Sequence, residues 1–144
     1  TRHDAPVYVP QWMSGVADAL DAPVERFGGE LADSGFEAVR IRDSGIPPWQ
    51  EVGLYHPEDG TLLVPEAVGT AAYFRAPGEP LGVHPMLRPV PPRRELSRFD
   101  PERVLVGHGA GVDTDAAAAL DDALDNARSN LPGAYGQALK QLLS

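Results

Sequence analysis

Cysteine is absent from the 144 residues, which excludes disulfides and thiolate metal sites outright. Lysine is almost absent as well: Lys140 is the only one, so nearly every positive charge is an arginine. Histidine is scarce. The chain has four, His3, His56, His84 and His108, and a protein-held metal would have to draw on these together with Asp and Glu. No apolar run approaches the ~20 residues needed to cross a bilayer, and the start lacks the basic-then-apolar pattern of a secretory signal. Internal repeats and low-complexity tracts are missing too.

What is present reads as one globular domain over residues 1–144, with 42% hydrophobic and 23% charged residues. A chain of this size can bury roughly two-thirds of its unfolded surface. Asp plus Glu outnumber Lys plus Arg 21 to 12, giving a formal charge of −9. An acidic, Ala-rich, Lys-poor surface stays hydrated at very high salt, where a short Debye length screens the self-repulsion of the folded state. The composition therefore points to the cytoplasm of a halophile, with an ordinary acidic soluble domain as the alternative. Either way nucleic acid is an unfavourable partner, because that affinity comes mainly from neutralising phosphates. The chain begins at Thr1, and the expectation is a processed or truncated start.

Along the chain, Val7-Tyr8-Val9 reads as a short strand stopped by Pro10, and Val24 to Phe27 as another. Between them Trp12, Met13, Val16 and Leu20 fall on one helical face, which predicts a helix over 12–20. Phe36 to Ile41 is β-rich, and Asp43-Ser44-Gly45-Ile46-Pro47-Pro48 has the chemistry of a loop. Glu51–Tyr55 and Thr61–Val64, joined by His56-Pro57-Glu58-Asp59-Gly60, make the clearest hairpin. The proline-dense stretch from Pro77 to Pro92 suits a covering loop or extended segment. Val104-Leu105-Val106 is a continuous apolar run, as in a strand buried on both faces. Asp113 or Asp115 can cap a helix with Ala117, Leu120, Leu124 and Ala127 on its inner face, ended by Pro132-Gly133. A short helix over 137–143 follows. This order predicts a mixed α/β fold with a partly antiparallel sheet packed by helices.

Two local signals, in this order, resemble the second half of the metallo-β-lactamase-like family. Thr61-Leu62-Leu63-Val64-Pro65-Glu66 is similar to the family's strand ending in Leu-Leu-x-Gly-Asp, whose aspartate bridges metals. Val104-Leu105-Val106-Gly107-His108-Gly109 is similar to the buried strand that delivers a metal-binding Gly-His-Gly. The turn Gly45-Ile46-Pro47-Pro48 resembles a Gly-His-Thr-Pro-Gly turn with Ile46 in place of the histidine. The resemblance runs from about Pro6 to Leu131 and implies half of an αββα sandwich. It implies His108 and Glu66 as metal ligands, with no catalytic residue assigned. The family's His-x-His-x-Asp-His cluster is missing, and Arg2-His3-Asp4 lacks its spacing. Since a catalytic zinc needs about three protein ligands and an open position, no cofactor is expected unless missing ligands are supplied from elsewhere.

Other polar positions carry weaker signals. His56 sits in a hairpin tip, where exposure is expected, and His84 lies in the long loop and is the better extra ligand. Arg88, Arg93, Arg94 and Arg98 form a basic cluster that could grip an anion or pair with the chain's own carboxylates. Trp12 and Trp49 are expected as core or loop anchors. Three functions follow: a degenerate, non-catalytic binding or structural module; a metal-dependent hydrolase completed by a missing N-terminal segment or partner chain; and an anion-binding module using the Arg88–Arg98 region. A half-fold would leave an apolar sheet face uncovered, so a homo-oligomer or a complex with a missing N-terminal half is expected.

Overall fold

The computed structural model describes residues 5–144, so Arg2, His3 and Asp4 lie outside the described residues. Strands β1 (Val7–Pro10) and β2 (Val24–Phe27) pair in parallel, with Val7 opposite Val24 and Pro10 opposite Phe27. The segment between them corrects the expected helix over 12–20: it holds turns and a single 3-10 turn at Ala17–Ala19. Gly15 has φ +80, a left-handed conformation that a right-handed helix through 12–20 could not contain. The apolar side chains find cover without the helix, since Met13 is buried and the Trp12 ring lies 4.7 Å from the Arg40 guanidinium.

Next come β3 (Glu37–Gly45), β4 (Pro48–His56), β5 (Thr61–Val64), the short antiparallel pair β6 (Val68–Gly69) and β7 (Gly82–Val83), and β8 (Arg103–Val106). The main sheet has the order β3-β4-β5-β8, antiparallel except for the parallel β5–β8 pair. The β4–β5 hairpin lies where the sequence predicts it. Residues 43–48, expected as a loop, are instead mostly strand: the pairing runs out to Gly45–Pro48, and Ile46 stands 96% exposed at the hairpin tip.

The sheet's two faces differ sharply. Val39, Ile41, Leu62, Val64 and Val104 face the helix α2 (Ala116–Asn126), together with Leu81, Val83, Leu87 and Leu96. That helix turns Ala116, Ala119, Leu120, Ala123 and Leu124 inward, at the three- and four-residue spacing of a helical face. The alanines let the helix approach closely, and each fully buried leucine contributes about 1.5–3 kcal/mol. Asp115 precedes α2 with φ 50, and its side chain makes no capping hydrogen bond. On the other face Leu54, Leu63 and Leu105 stand in one row across three strands. Leu105 is 42% exposed, so β8 is covered on one side only and not on both as its apolar run suggested.

The proline-rich stretch 77–92 is also more than a cover. It contributes β7, a 3-10 turn at Pro85–Leu87 and the buried Leu81, Val83 and Leu87, then leads into α1 (Arg93–Leu96). At its centre Arg88 is completely buried. Its Nη1 and Nη2 donate to Glu79 Oε1 (3.0 Å) and Oε2 (2.5 Å), Nη2 also to Phe74 O (2.7 Å), and Nε to Val83 O (3.1 Å). This two-pronged clasp ties the stretch to α2 as well, since Nη1 reaches Ala127 O at 3.3 Å.

The last helix, α3 (Leu131–Leu143), begins six residues before the expected 137, and Pro132 opens it rather than ending its predecessor. Proline is tolerated in a first turn because that position has no intrahelical acceptor for an N–H. Among the described residues no helix is long and apolar enough to cross a membrane. The fold is a mixed α/β one.

Candidate functional site

Strands β5 and β8 run side by side in the same direction, with Val64 opposite Val106, so the chain leaves both at one end of the sheet. Glu66 follows the first strand and His108 the second. Forty-two residues apart in sequence, their side chains meet: His108 Nε2 and Glu66 Oε2 are 2.9 Å apart. A carboxylate only accepts, so the proton of this hydrogen bond sits on His108 Nε2. The pair is accessible, with His108 37% and Glu66 52% exposed at the side chain.

The glycines around His108 have a steric reason. Gly107 N donates to Pro65 O at 3.0 Å, and a Cβ at Gly107 would fall onto that same carbonyl. At Gly109, φ is +113 and a Cβ would collide with Thr70 Oγ1. The His108 carbonyl in turn accepts from Thr70 N (3.0 Å) and Ala71 N (3.1 Å). The Gly-His-Gly segment is thus wedged against the turn after β5, with the imidazole directed out of it.

Behind the pair lies a residue that no sequence motif marked. Glu51, on β4, is buried, and its Oε1 accepts from the backbone N–H groups of Glu66 (2.6 Å) and Ala67 (2.9 Å). Its Oε2 accepts from the Trp49 indole at 2.8 Å. Burial pushes the Glu51 carboxyl above the usual carboxylate range, an effect the three donors oppose and the nearby Glu66 charge reinforces. The available signal was alternation: Trp49, Glu51, Gly53 and Tyr55 share one face of β4, and a Glu on the covered face requires donors.

His84 stands nearby. Its ring packs edge-on against Trp49 (4.9 Å) and Phe74 (5.3 Å), and the Phe74 ring also lies 5.4 Å from that of His108. Burial pushes the His84 imidazole below the usual histidine range; the Glu66 charge pulls it up and His108 pushes it down. Nδ1 accepts from Met86 N–H at 3.1 Å, which places the proton of the neutral ring on Nε2. Tyr73 is the remaining polar neighbour, its ring 5.9 Å from His108 and its phenol raised by burial and by the Glu66 charge.

The ring nitrogens decide which of these residues could hold a metal. A ligating imidazole offers a lone pair and donates its other N–H to a second partner. His108 matches that pattern, its Nε2–H donated to Glu66 and its Nδ1 lone pair open, whereas His84 would have to give up Met86 to free its Nε2. Among the described residues no group of three or more His, Asp or Glu is placed to hold a metal ion. Among the described residues His108 makes no side-chain hydrogen bond except to Glu66.

The other sequence candidates go elsewhere. His56 is not an exposed hairpin tip; its side chain is 18% exposed and its ring packs edge-on against Phe36 at 4.9 Å. Arg88 leaves the basic cluster for the interior. Arg93 pairs with Asp125, and the Arg98 guanidinium covers the Phe99 ring at 4.6 Å. Arg94 makes no ion pair or side-chain hydrogen bond among the described residues. No family model, no curated protein and no solved structure matches this chain.

Proposed function

We propose that the chain is a non-catalytic binding or structural module built as half of a metallo-β-lactamase-like αββα sandwich, its metal site reduced to Glu66 and His108. One observation carries this reading. The two residues that the resemblance matched to metal ligands meet at 2.9 Å at the shared end of β5 and β8, engaged with each other rather than poised around an ion. The Leu54–Leu63–Leu105 row supports the half-sandwich. It lies on the sheet face away from α2, where a complete sandwich would set its second sheet. A second copy or a complementary half is the occupant this reading assigns to that face. The acidic composition extends the proposal to a salt-rich cytoplasm.

Metal analysis after dialysis against zinc tests the reading directly. The expected result is far less than one zinc per chain, unchanged in His108→Ala. One zinc per chain that disappears in His108→Ala would overturn it and favour a metal-dependent hydrolase with ligands supplied from another segment.

A further inference from the structure

Away from Glu66 and His108, a cavity of about 410 Å³ gathers arginines from two parts of the chain. Arg40 and Arg42 come from β3, Arg93 and Arg94 from α1, and Asp43 and Glu95 are the acids beside them. Four of the 12 cationic side chains of a −9 chain therefore line one opening. The strand is irregular at this point: its pairing with β4 slips between Arg40 and Arg42, a bulge of the kind that re-aims side chains.

Two of the arginines are held in place by the fold. Arg40 bonds Asp43 and lies over the Trp12 ring, and Arg42 donates to Val90 O on the opposite wall. Arg94 is exposed and makes no ion pair or side-chain hydrogen bond among the described residues, so its fork is available to a ligand. Exposed Val90 and half-buried Pro91 give the same cavity an apolar wall.

We infer that this cavity binds a small phosphate monoester, its phosphoryl group among the arginines and its organic part against Val90 and Pro91. Arg93 is paired with Asp125 outside the lining, so four guanidinium groups against three carboxylates leave one positive charge in excess, and the open fork of Arg94 is the group free to meet a phosphoryl oxygen pair. Arginine forks match the paired oxygens of such a group and bond it more strongly than neutral donors would. The acidity of the rest of the chain selects against polymeric phosphates, whose many charges would meet carboxylates beyond the cavity rim. The anion site foreshadowed by the Arg88–Arg98 run is thus redrawn. Arg88 is buried, and β3 supplies the missing half.

Calorimetric titration of the full chain with phenyl phosphate, inorganic phosphate and malonate, at 0.1 M and 1 M chloride, tests the inference. Phenyl phosphate is expected to bind one per chain, more tightly than inorganic phosphate or malonate, and more weakly at 1 M chloride. Arg94→Gln should weaken it about ten-fold, the scale of one charge-assisted hydrogen bond, without moving the melting midpoint. Arg40→Gln should weaken it as well, and Glu95→Gln should tighten it by removing a like charge. No saturable binding would overturn the site, as would equal affinity in wild type, Arg94→Gln and Arg40→Gln. Malonate binding as tightly as phenyl phosphate would overturn the phosphoryl assignment.

Discussion

Glu79 with Arg88 and Glu66 with His108 are both carboxylate–nitrogen pairs, 2.5 Å and 2.9 Å long, yet their surroundings give them different work. The first is nearly enclosed. The Arg88 side chain is 0% and Glu79 8% exposed, and Asn130 and the Ala76 N–H also donate to Glu79. Around the second, both side chains reach solvent and retain unused lone pairs. A largely enclosed pair with many partners contributes mainly to the fold. An exposed pair contributes little to folding and is free to meet something else.

Breaking the enclosed pair tests this contrast most severely. Arg88→Ala would strand the Glu79 carboxylate and the carbonyls of Phe74 and Val83, at a cost of about 3–5 kcal/mol in urea unfolding. A loss below ~1 kcal/mol would mean that solvent reaches the clasp. Acid should reveal the same bond. Burial pushes the Glu79 carboxyl up, but its bonds to Arg88, Asn130 and Ala76 outweigh this and hold it below the usual range. A folded value below the unfolded ~4.3 stabilises the fold above that pH and ceases to as the pH falls through the folded value. Urea midpoints from pH 6 to 2 should therefore fall more steeply in wild type than in Arg88→Ala.

Between the extremes stands Glu51, enclosed itself but bonded to the backbone of the exposed site. Glu51→Ala leaves the Glu66 and Ala67 N–H groups without their acceptor, which should cost about 1–3 kcal/mol. Glu51→Gln keeps one carbonyl oxygen for those two donors and should recover much of the loss. The local reading is amide exchange at Glu66 and Ala67, expected to accelerate in Glu51→Ala more than elsewhere in the sheet. Uniform acceleration across the sheet would make Glu51 a plain core residue with no special hold on the Glu66 turn.

The same contrast explains what the sequence could disclose. Patterns of neighbouring residues announced the β4–β5 hairpin, β8 and, through Leu120 and Leu124, part of the inner face of α2, whose other inward residues are Ala116, Ala119 and Ala123 rather than Ala117. Glu66 and His108 were singled out together only through the family resemblance of the strand ends that precede them. Arg88 could not be recognised, since its partners Glu79, Phe74, Val83 and Ala127 become neighbours only through folding. Elsewhere a single residue overrode a regional pattern. Gly15 cancelled the helix suggested by Trp12, Met13, Val16 and Leu20, and Pro132 began a helix where a stop was expected. The arginine cavity was half visible, as Arg93 and Arg94, while the contribution of Arg40 and Arg42 required the bulge in β3.

The smallest expected effect sharpens the contrast through salt. Exposed ion pairs contribute about 0–1 kcal/mol and are screened as the Debye length shrinks from about 10 Å at 0.1 M to 3 Å at 1 M. A double-mutant cycle of Glu66→Gln and His108→Ala should give a coupling within that range at 0.1 M chloride and none at 1 M. The Glu79–Arg88 coupling should largely persist, because a mostly buried pair is screened much less. Wild-type stability should move the other way over the same range. With a charge of −9 and Lys140 as the only lysine, the compact state confines repulsion that salt relieves, and sulfate should outperform chloride by also strengthening apolar burial. Urea midpoints should therefore rise while the Glu66–His108 coupling vanishes. A flat or falling midpoint would remove the halophilic proposal and leave −9 as a plain solubility device. A coupling well above ~1 kcal/mol that survives molar salt would place Glu66 and His108 with Glu79 and Arg88, as a clasp of the fold rather than a site.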